Sequence, residues 1–271
     1  MSENAARFDA LLVQVFPDAE ALSAAAAADA AEVITAAVRR ADQANVMLAT
    51  GNSQLAFLEV LTSLGGLPWP QVRIFHMDEY VGLPVDHPAS FARYIRTRVT
   101  ERVRPMEANY VGPTARLASA EAEAKAEAEA KAEAEADRYA ALLRRHPIDL
   151  CVMGIGENGH LAFNDPGVAD FADPADVKVV ALDEACRRQQ VGEGHFAAMG
   201  DVPTHAITVT IPALMRAGRL VVVCPEARKA AAVRQALLGP ISPACPASIL
   251  RRQSHARLYL DTESAKELSA G

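Results

Sequence analysis

The chain has 271 residues, 51% of them apolar, which is long for one domain but within reach of a single α/β domain with a large core. Lys plus Arg number 27 against 34 Asp plus Glu, a formal net charge of −7 with no long basic tract, so nucleic acid is not expected as a partner and an anionic ligand would need a local basic pocket. Cys151, Cys186, Cys224 and Cys245 form no Cys-x-x-Cys pair and read as buried thiols of a reducing compartment, and with no basic-then-apolar leader at Met1 to Asn4 and no stretch long enough to span a bilayer, the cytoplasm is expected and a membrane is not.

Strand-like and helix-like segments alternate along the chain. This predicts an α/β fold of Rossmann-like type over residues 1–271, a single domain whose mostly parallel sheet carries helices on both faces. Residues 11–16 read as a short strand, and Asp18 caps a helix reaching about Ala44. Residues 45–50 form a strand, after which Gly51, Asn52 and Ser53 turn into a helix ending near Gly65 and Gly66. Residues 72–76 are the next strand, with Met77 to Tyr80 at its C-terminal end, and Pro88 and Ser90 begin a helix to about Val103. A Glu-Ala-Lys-Ala repeat follows inside a helix extension over about 117–145. Its alternation by two resembles a strand, but Ala, Glu and Lys are good helix formers and poor strand formers. The order Glu121–Lys125 and Glu127–Lys131 is the favoured i, i+4 pairing. With nothing apolar larger than Ala, this piece reads as a solvated extension without a catalytic role. Further strands are expected at 148–153, 177–182, 206–211, 219–224 and 256–260. Helical pieces are expected at 212–217, 226–238, 246–252 and in the tail.

The loop after residue 153 holds Gly154, Gly156 and Gly159, the glycine spacing of a dinucleotide-binding turn, and Asp183 falls about twenty residues further on. That turn needs a helix beginning inside it, so that the helix N-terminus meets the pyrophosphate. Pro166, Gly167 and Pro174 leave no room for one. The glycines therefore serve a loop that presents side chains, and no nucleotide cofactor is expected.

In open parallel sheets ligands bind beyond the carboxyl ends of the strands. Four such ends are candidates here: Thr50–Ser53, His76–Tyr80, Gly154–Asp165 and Cys224–Lys229. Thr50, Gly51, Asn52 and Ser53 combine a turn, hydroxyls and a helix N-terminus, a natural phosphate cradle, although Ser53 is equally a simple N-cap. Lys229 adds positive charge near a helix start, or is a surface lysine. Asp78 and Glu79 alternate sides on an extended segment, so one of them can face a site as a base while the other points elsewhere. His160 is either a catalytic group or a half-buried histidine with its bonds satisfied. His76, Asp78 and His160 share no recognised ligand spacing, so no metal is expected.

Three segments together carry a resemblance. They are Leu48-Ala-Thr-Gly-Asn-Ser53, Phe75-His-Met-Asp-Glu-Tyr-Val-Gly-Leu83 followed by His87-Pro88 and Ser90, and Gly154-Ile-Gly-Glu-Asn-Gly-His-Leu-Ala-Phe-Asn-Asp-Pro-Gly167. In order and spacing from about residue 45 to 261 the chain resembles the glucosamine-6-phosphate deaminases, in a superfamily that also holds 6-phosphogluconolactonases. The resemblance implies opening of glucosamine 6-phosphate, aldose–ketose isomerisation and loss of ammonia to give fructose 6-phosphate, with no cofactor and a small sugar phosphate as the partner. A homo-oligomer is left open. It makes Asp78 the base between C2 and C1, and His160 the ring-opening group, oriented by Asn158 and Asp165. Thr50, Gly51, Asn52, Ser53 and Lys229 would hold the phosphate, with Glu79 and Gly156 also lining the substrate site.

The chain also departs from the deaminases. Asp165 stands where they usually have Glu, which shortens the arm toward His160 by one methylene. Gln190 falls where their phosphate arginine stands, leaving Arg187 and Arg188 on the preceding turn as substitutes, with Arg188 the candidate. Residues 202–212 and 245–250 lean toward the lactonase branch. Asp170, Asp173 and Asp176 occupy the region where regulated members place basic residues, so an allosteric phosphate site is not expected. The alternatives to a deaminase are a sugar-phosphate lactone hydrolase using His160 as base on water, and a non-catalytic sugar-phosphate-binding regulator.

Overall fold

The central strands are apolar on both faces, and this sets the layering of the molecule. The computed structural model describes residues 5–112 and 122–268. Its strands are β1 (Ala5–Phe8), β2 (Leu11–Phe16), β3 (Ala44–Leu48), β4 (Val72–His76), β5 (Asp78–Tyr80), β6 (Glu107–Asn109), β7 (Leu150–Met153), β8 (Val177–Ala181), β9 (His205–Val209), β10 (Arg219–Cys224) and β11 (Ala256–Asp261). Successive side chains of a strand point to opposite faces. In β7, Leu150 and Val152 join one core with Val46, Leu48, Ile74, Val221 and Val223. Cys151 and Met153 join the other with Met47, Phe75, Leu220 and Val222. A strand buried on both faces needs a helical layer on each. Helices Ala19–Ala41 and Leu55–Ser63 cover the first core, and Ala122–Arg145 and Ala230–Leu238 the second.

Among the described residues eight strands form one sheet in the order β1-β2-β11-β10-β7-β3-β4-β6, parallel except for the β1–β2 pair. The expected doubly covered, mostly parallel sheet is thus present, with edge strands β1 and β6 that the sequence pattern did not announce. A second difference is larger. The segments at 177–182 and 206–211 do not enter that sheet. As β8 and β9 they join β5 in a separate three-stranded antiparallel sheet in the order β5-β9-β8. Strand-forming composition specifies extended backbone and not the partner. Here Met77 carries the chain out of the main sheet, and its carbonyl accepts from Val209 N at 2.8 Å.

Asp18 caps the first long helix as expected, accepting from Ala21 N at 2.8 Å. That helix stops at Ala41 because Asp42 turns left-handed (φ 62°), three residues short of the expected Ala44, which already belongs to β3. Contrary to the sequence expectation, Ala19–Ala41 is long and apolar enough to cross a bilayer. Its apolar side is taken up instead by the sheet, with Leu22, Ala26, Ala27, Ala30, Ile34 and Ala37 buried.

The Glu-Ala-Lys helix corrects a further expectation. The part of the extension at 117–121, with Glu121 of the first expected ion pair, lies outside the described residues. The second pair is made, Lys131 Nζ to Glu127 Oε1 at 2.6 Å. The helix is nevertheless not merely solvated. Ala128, Ala132 and Ala136 are buried one turn apart, in line with Tyr139, Ala140 and Leu142, against β8 and β9. Alanine is small enough to bring two backbones close, so an alanine stripe can be a packing face. Tyr139 then ties the helix to the end of β4, donating to His76 O at 2.7 Å and accepting from His76 N at 3.2 Å.

Ala132 is 0% exposed and Ala134 is exposed. Ala132→Glu is expected to lower unfolding free energy by about 2–4 kcal/mol through a buried unpaired charge, and Ala134→Glu to change it by less than about 0.5 kcal/mol. Urea unfolding of the two variants checks this, and equal effects would contradict the packed stripe.

Candidate active site

The site follows from strand order. From β3 the chain works outward through β4 to β6, and from β7 outward through β10 and β11. The order reverses between β3 and β7, and a crevice opens beyond the carboxyl ends of the strands at such a point. All four predicted strand ends meet there. Thr50–Ser53, Asp78, Gly154–Gly156 with His160, and Lys229 line one cleft.

The cradle is built by Gly51, whose φ of +99° suits glycine and turns the chain from β3 into the short helix Asn52–Gln54. Tyr94 Oη pins it by donating to Gly51 O at 2.9 Å. Ser53 Oγ donates to Glu226 Oε1 at 3.2 Å. Facing the cradle, Lys229 ends a short turn that leads into helix Ala230–Leu238. It is 3% exposed, and burial lowers its pKa. The nearby acids are claimed by another cation: Arg228 pairs with Glu157 at 2.9 Å, Glu193 at 2.5 Å and Glu226 at 2.6 Å. Lys229 makes no ion pair among the described residues, so its charge stays directed at the cleft.

The two adjacent acids on β5 separate. Asp78 faces the cleft and is 6% exposed. Burial and the neighbouring Glu79 charge hold its pKa well above the usual carboxylate range. Glu79 turns away and does not line the cleft, a correction to its place among the substrate-site residues. Its carboxylate accepts from Ser90 Oγ at 2.8 Å, Ala92 N at 2.9 Å and Phe91 N at 3.2 Å, which satisfies the start of helix Phe91–Ile95. Burial still leaves its pKa raised, against these hydrogen bonds.

His160 sits over Gly156, where a Cβ would lie 2.2–2.4 Å from ring atoms. The ring fits only because position 156 is glycine. Its Nδ1 lies 3.0 Å from Asp165 Oδ1. Asn158 Nδ2 donates to the same oxygen at 2.8 Å, and Asn158 Oδ1 accepts from His160 N at 3.0 Å. The shorter aspartate therefore still meets the imidazole. The loop brings it there: Ala162 takes a left-handed φ of 51°, and Asn164 Nδ2 clamps Leu161 O at 2.8 Å and Val209 O at 2.9 Å. Asp165 is buried, which raises its pKa, but hydrogen bonding and charge from His160 and Asn158 more than offset this and leave it lowered. Asn158 and Asp165 stand behind His160 and do not themselves line the cleft.

Arg188 is not brought to the cleft. On helix Glu184–Gly192 it points outward, 60% exposed in its side chain, and pairs with Glu184 at 2.5 Å. Arg187 is spent on the backbone, donating to Met199 O at 2.6 Å and Val202 O at 3.1 Å. The same helix instead turns Gln189 and Gln190 inward, and the cleft gains Gln54, Glu193 and His195 as well. Sequence reasoning missed these. Glu193 and His195, 3.3 Å apart, sit in Gly192-Glu-Gly-His195, a stretch with no periodicity to mark it. Burial raises the Glu193 pKa, but His195 and Arg228 reverse this and bring it to about 2. His76 is not in the cleft: it accepts from Val111 N at 2.8 Å, and burial lowers its pKa to about 3. Asp173 pairs with Lys178 at 2.7 Å, and Asp176 with Arg144 and Arg216, so these acids are committed to structure.

Comparison with known proteins places the chain in a family. The chain is 36% identical over 86% of its length to a glucosamine-6-phosphate deaminase of Exiguobacterium sibiricum, 84% of which is covered. It superposes on the structure of a monomeric glucosamine-6-phosphate deaminase with a TM-score of 0.78 and 28% identity, covering 94% of this chain and 98% of that one. It shares its fold with a 6-phosphogluconolactonase from Trypanosoma brucei, with a TM-score of 0.74 and 20% identity, covering 95% of this chain and 98% of the other. The profile of the glucosamine-6-phosphate isomerases/6-phosphogluconolactonase family matches residues 17–260, and the chain belongs to that family.

Proposed function

We propose that the protein converts glucosamine 6-phosphate and water to fructose 6-phosphate and ammonia, in the cytoplasmic breakdown of amino sugars such as N-acetylglucosamine. The observation that carries this reading is Asp78: a buried carboxylate of raised pKa that faces the cleft opposite the Lys229 cradle. A proton moving between carbons next to a carbonyl needs such a base and no cofactor.

In this reading the phosphate lies on the backbone of Thr50–Ser53, at a helix N-terminus, against Lys229. Gln189 and Gln190 line the same cleft without adding charge. His160, steadied by Asn158 and Asp165, takes the proton from O1 and returns one to O5 as the ring opens. Asp78 then removes the C2 proton and delivers it to C1, leaving an imine at C2. Water adds to that imine and ammonia leaves. A lactone hydrolase would also use His160, on water, but would leave Asp78 without a task.

Incubation with glucosamine 6-phosphate and, separately, with 6-phosphogluconolactone distinguishes these. Ammonia release is expected; lactone loss without ammonia would sink the proposal, and binding without turnover would favour the regulator. Asp78→Asn is expected to cut kcat by about 10²–10⁴ with KM nearly unchanged.

Asp78 also makes a stability prediction. Its folded pKa is raised, so the stability it contributes is present at low pH and is lost as pH rises through the folded pKa. Asp78→Asn removes the charged form. The variant is expected to melt higher than the wild type at neutral pH, with the difference vanishing near pH 4 and below, as thermal scans across pH will show.

Gly156→Ala is expected to push the imidazole off Asp165 and lower kcat by about 10²-fold, with KM little changed. Unchanged kcat would mean that the placement of His160 over Gly156 is irrelevant to turnover.

A further inference from the structure

Behind the cleft-facing side of His160 the fold gathers three side chains of metal-ligating type, two from one loop and one from a helix further along the chain. A ring nitrogen of His160, a carboxylate oxygen of Asp165 and Sγ of Cys186 all lie within 4.8 Å of one another. Asp165 and Cys186 are each 1% exposed. Cys186 is delivered by the first turn of helix Glu184–Gly192, where Asp183 Oδ1 accepts from its backbone N–H at 2.6 Å.

The hydrogen bonding of this group is incomplete. Asn158 Nδ2 donates to Asp165 Oδ1, but Asp165 Oδ2 is buried with no hydrogen-bond partner. His160 Nδ1 is buried 3.0 Å from Asp165 Oδ1. Buried carboxylate oxygens are normally satisfied by aligned, strong donors, and the further group beside the Asp165 carboxyl is the weak S–H donor of Cys186. Access exists as well. A cavity of about 690 Å³ that adjoins the cleft is lined by Glu157, Asn158, Cys186, Arg188, Glu193 and Arg228 among others, so charges of both signs flank the way to the thiol.

We propose that Cys186, His160 and Asp165 form a site for one soft divalent transition-metal ion of the zinc class. Thiolate, imidazole and carboxylate together suit zinc or cobalt and do not suit magnesium or calcium, which take oxygen ligands alone. Closing the longest of the present separations by about an ångström reaches the spacing of a tetrahedral site, with water in the fourth position. Binding involves no redox step: Cys186 gives its thiol proton to solvent and the sulfur lone pair goes to the metal. Because the thiol must lose its proton to coordinate, affinity rises with pH. The ion occupies the Nδ1 face of His160 and the free oxygen of Asp165, and so acts as an inhibitor. That consequence rests on the catalytic role proposed for His160, whereas the binding does not.

The test uses the metal-free full-length protein. Titration with Co²⁺ is expected to give a thiolate-to-cobalt charge-transfer band that saturates at one equivalent, is displaced by Zn²⁺, and strengthens as pH rises. Cys186→Ser and Cys186→Ala are expected to lose the band and to weaken Zn²⁺ binding at least tenfold, with Cys245→Ser retaining both. In crystals of the wild type soaked in Zn²⁺, an anomalous peak is expected between Cys186, His160 and Asp165, a measurement that does not depend on any variant folding. No band in the wild type, a band that survives in Cys186→Ala, or an anomalous peak only elsewhere overturns the site. Zn²⁺ bound at the site with undiminished ammonia release leaves the site standing and removes His160 from the reaction.

Discussion

The pairing of β3 with β7 is the contact on which the rest of the molecule depends. It spans three residue pairs, Val46 with Leu150, Met47 with Cys151 and Leu48 with Val152, and ends in Ala49 N donating to Val152 O at 2.9 Å. Beyond that bond the two chains part. One becomes the Thr50–Ser53 cradle and the other the Gly154–Asp165 loop. Because both strands are buried on both faces, their side chains are apolar except for Asn45 at the start of β3, which is hydrogen-bonded to Pro147 O. Polar side chains collect at the strand ends, where backbone groups are also unpaired. The cleft is the gap left when a dry sheet runs out of partners.

Burial then assigns different tasks to chemically similar groups. Asp78 and Glu79 are adjacent and both buried. Glu79 receives hydrogen bonds from a hydroxyl and three backbone N–H groups, and its charge is used in organising a helix start. Asp78 faces the open cleft under the repulsion of its neighbour. Lys229 and Arg228 are a second such pair. Arg228 satisfies three carboxylates at the rim, which leaves Lys229 as a desolvated cation with no ion pair among the described residues. Both Asp78 and Lys229 are held in states that folding alone would not favour, as is common for groups that act on a ligand.

Much of this was legible in the residues. Apolar runs placed the central strands to within a residue or two, Asp18 marked a helix start, and Pro166 removed the nucleotide reading of the glycine loop. The strand-end rule then points to Thr50–Ser53, Asp78, His160 and Lys229 as one place. What stayed hidden was direction and partnership. Composition marks β8 and β9 as strands but not as members of another sheet. A helical arginine can face either way, and Arg188 faces solvent beside Glu184, on the side of the helix away from the cleft. The missing methylene of Asp165 was misleading, since reach depends on the backbone as well as the side chain, and Ala162 and Asn164 shape that backbone. The alanines of the Glu-Ala-Lys helix carry little apolar signal one by one, and only their spacing of four reveals a face.

That spacing has a consequence for how the segment can vary. Repetitive sequence readily gains and loses units, and most positions from 126 to 134 face water. Each inserted residue rotates the rest of the helix by about 100°, so a one- or two-residue change would swing the stripe of Ala128, Ala132 and Ala136 away from β8. A change of seven residues turns it by only about 20°. The segment is therefore free in charge and loosely held in composition, but its length is quantised: it can grow or shrink by whole pairs of turns, and the fold filters out the rest.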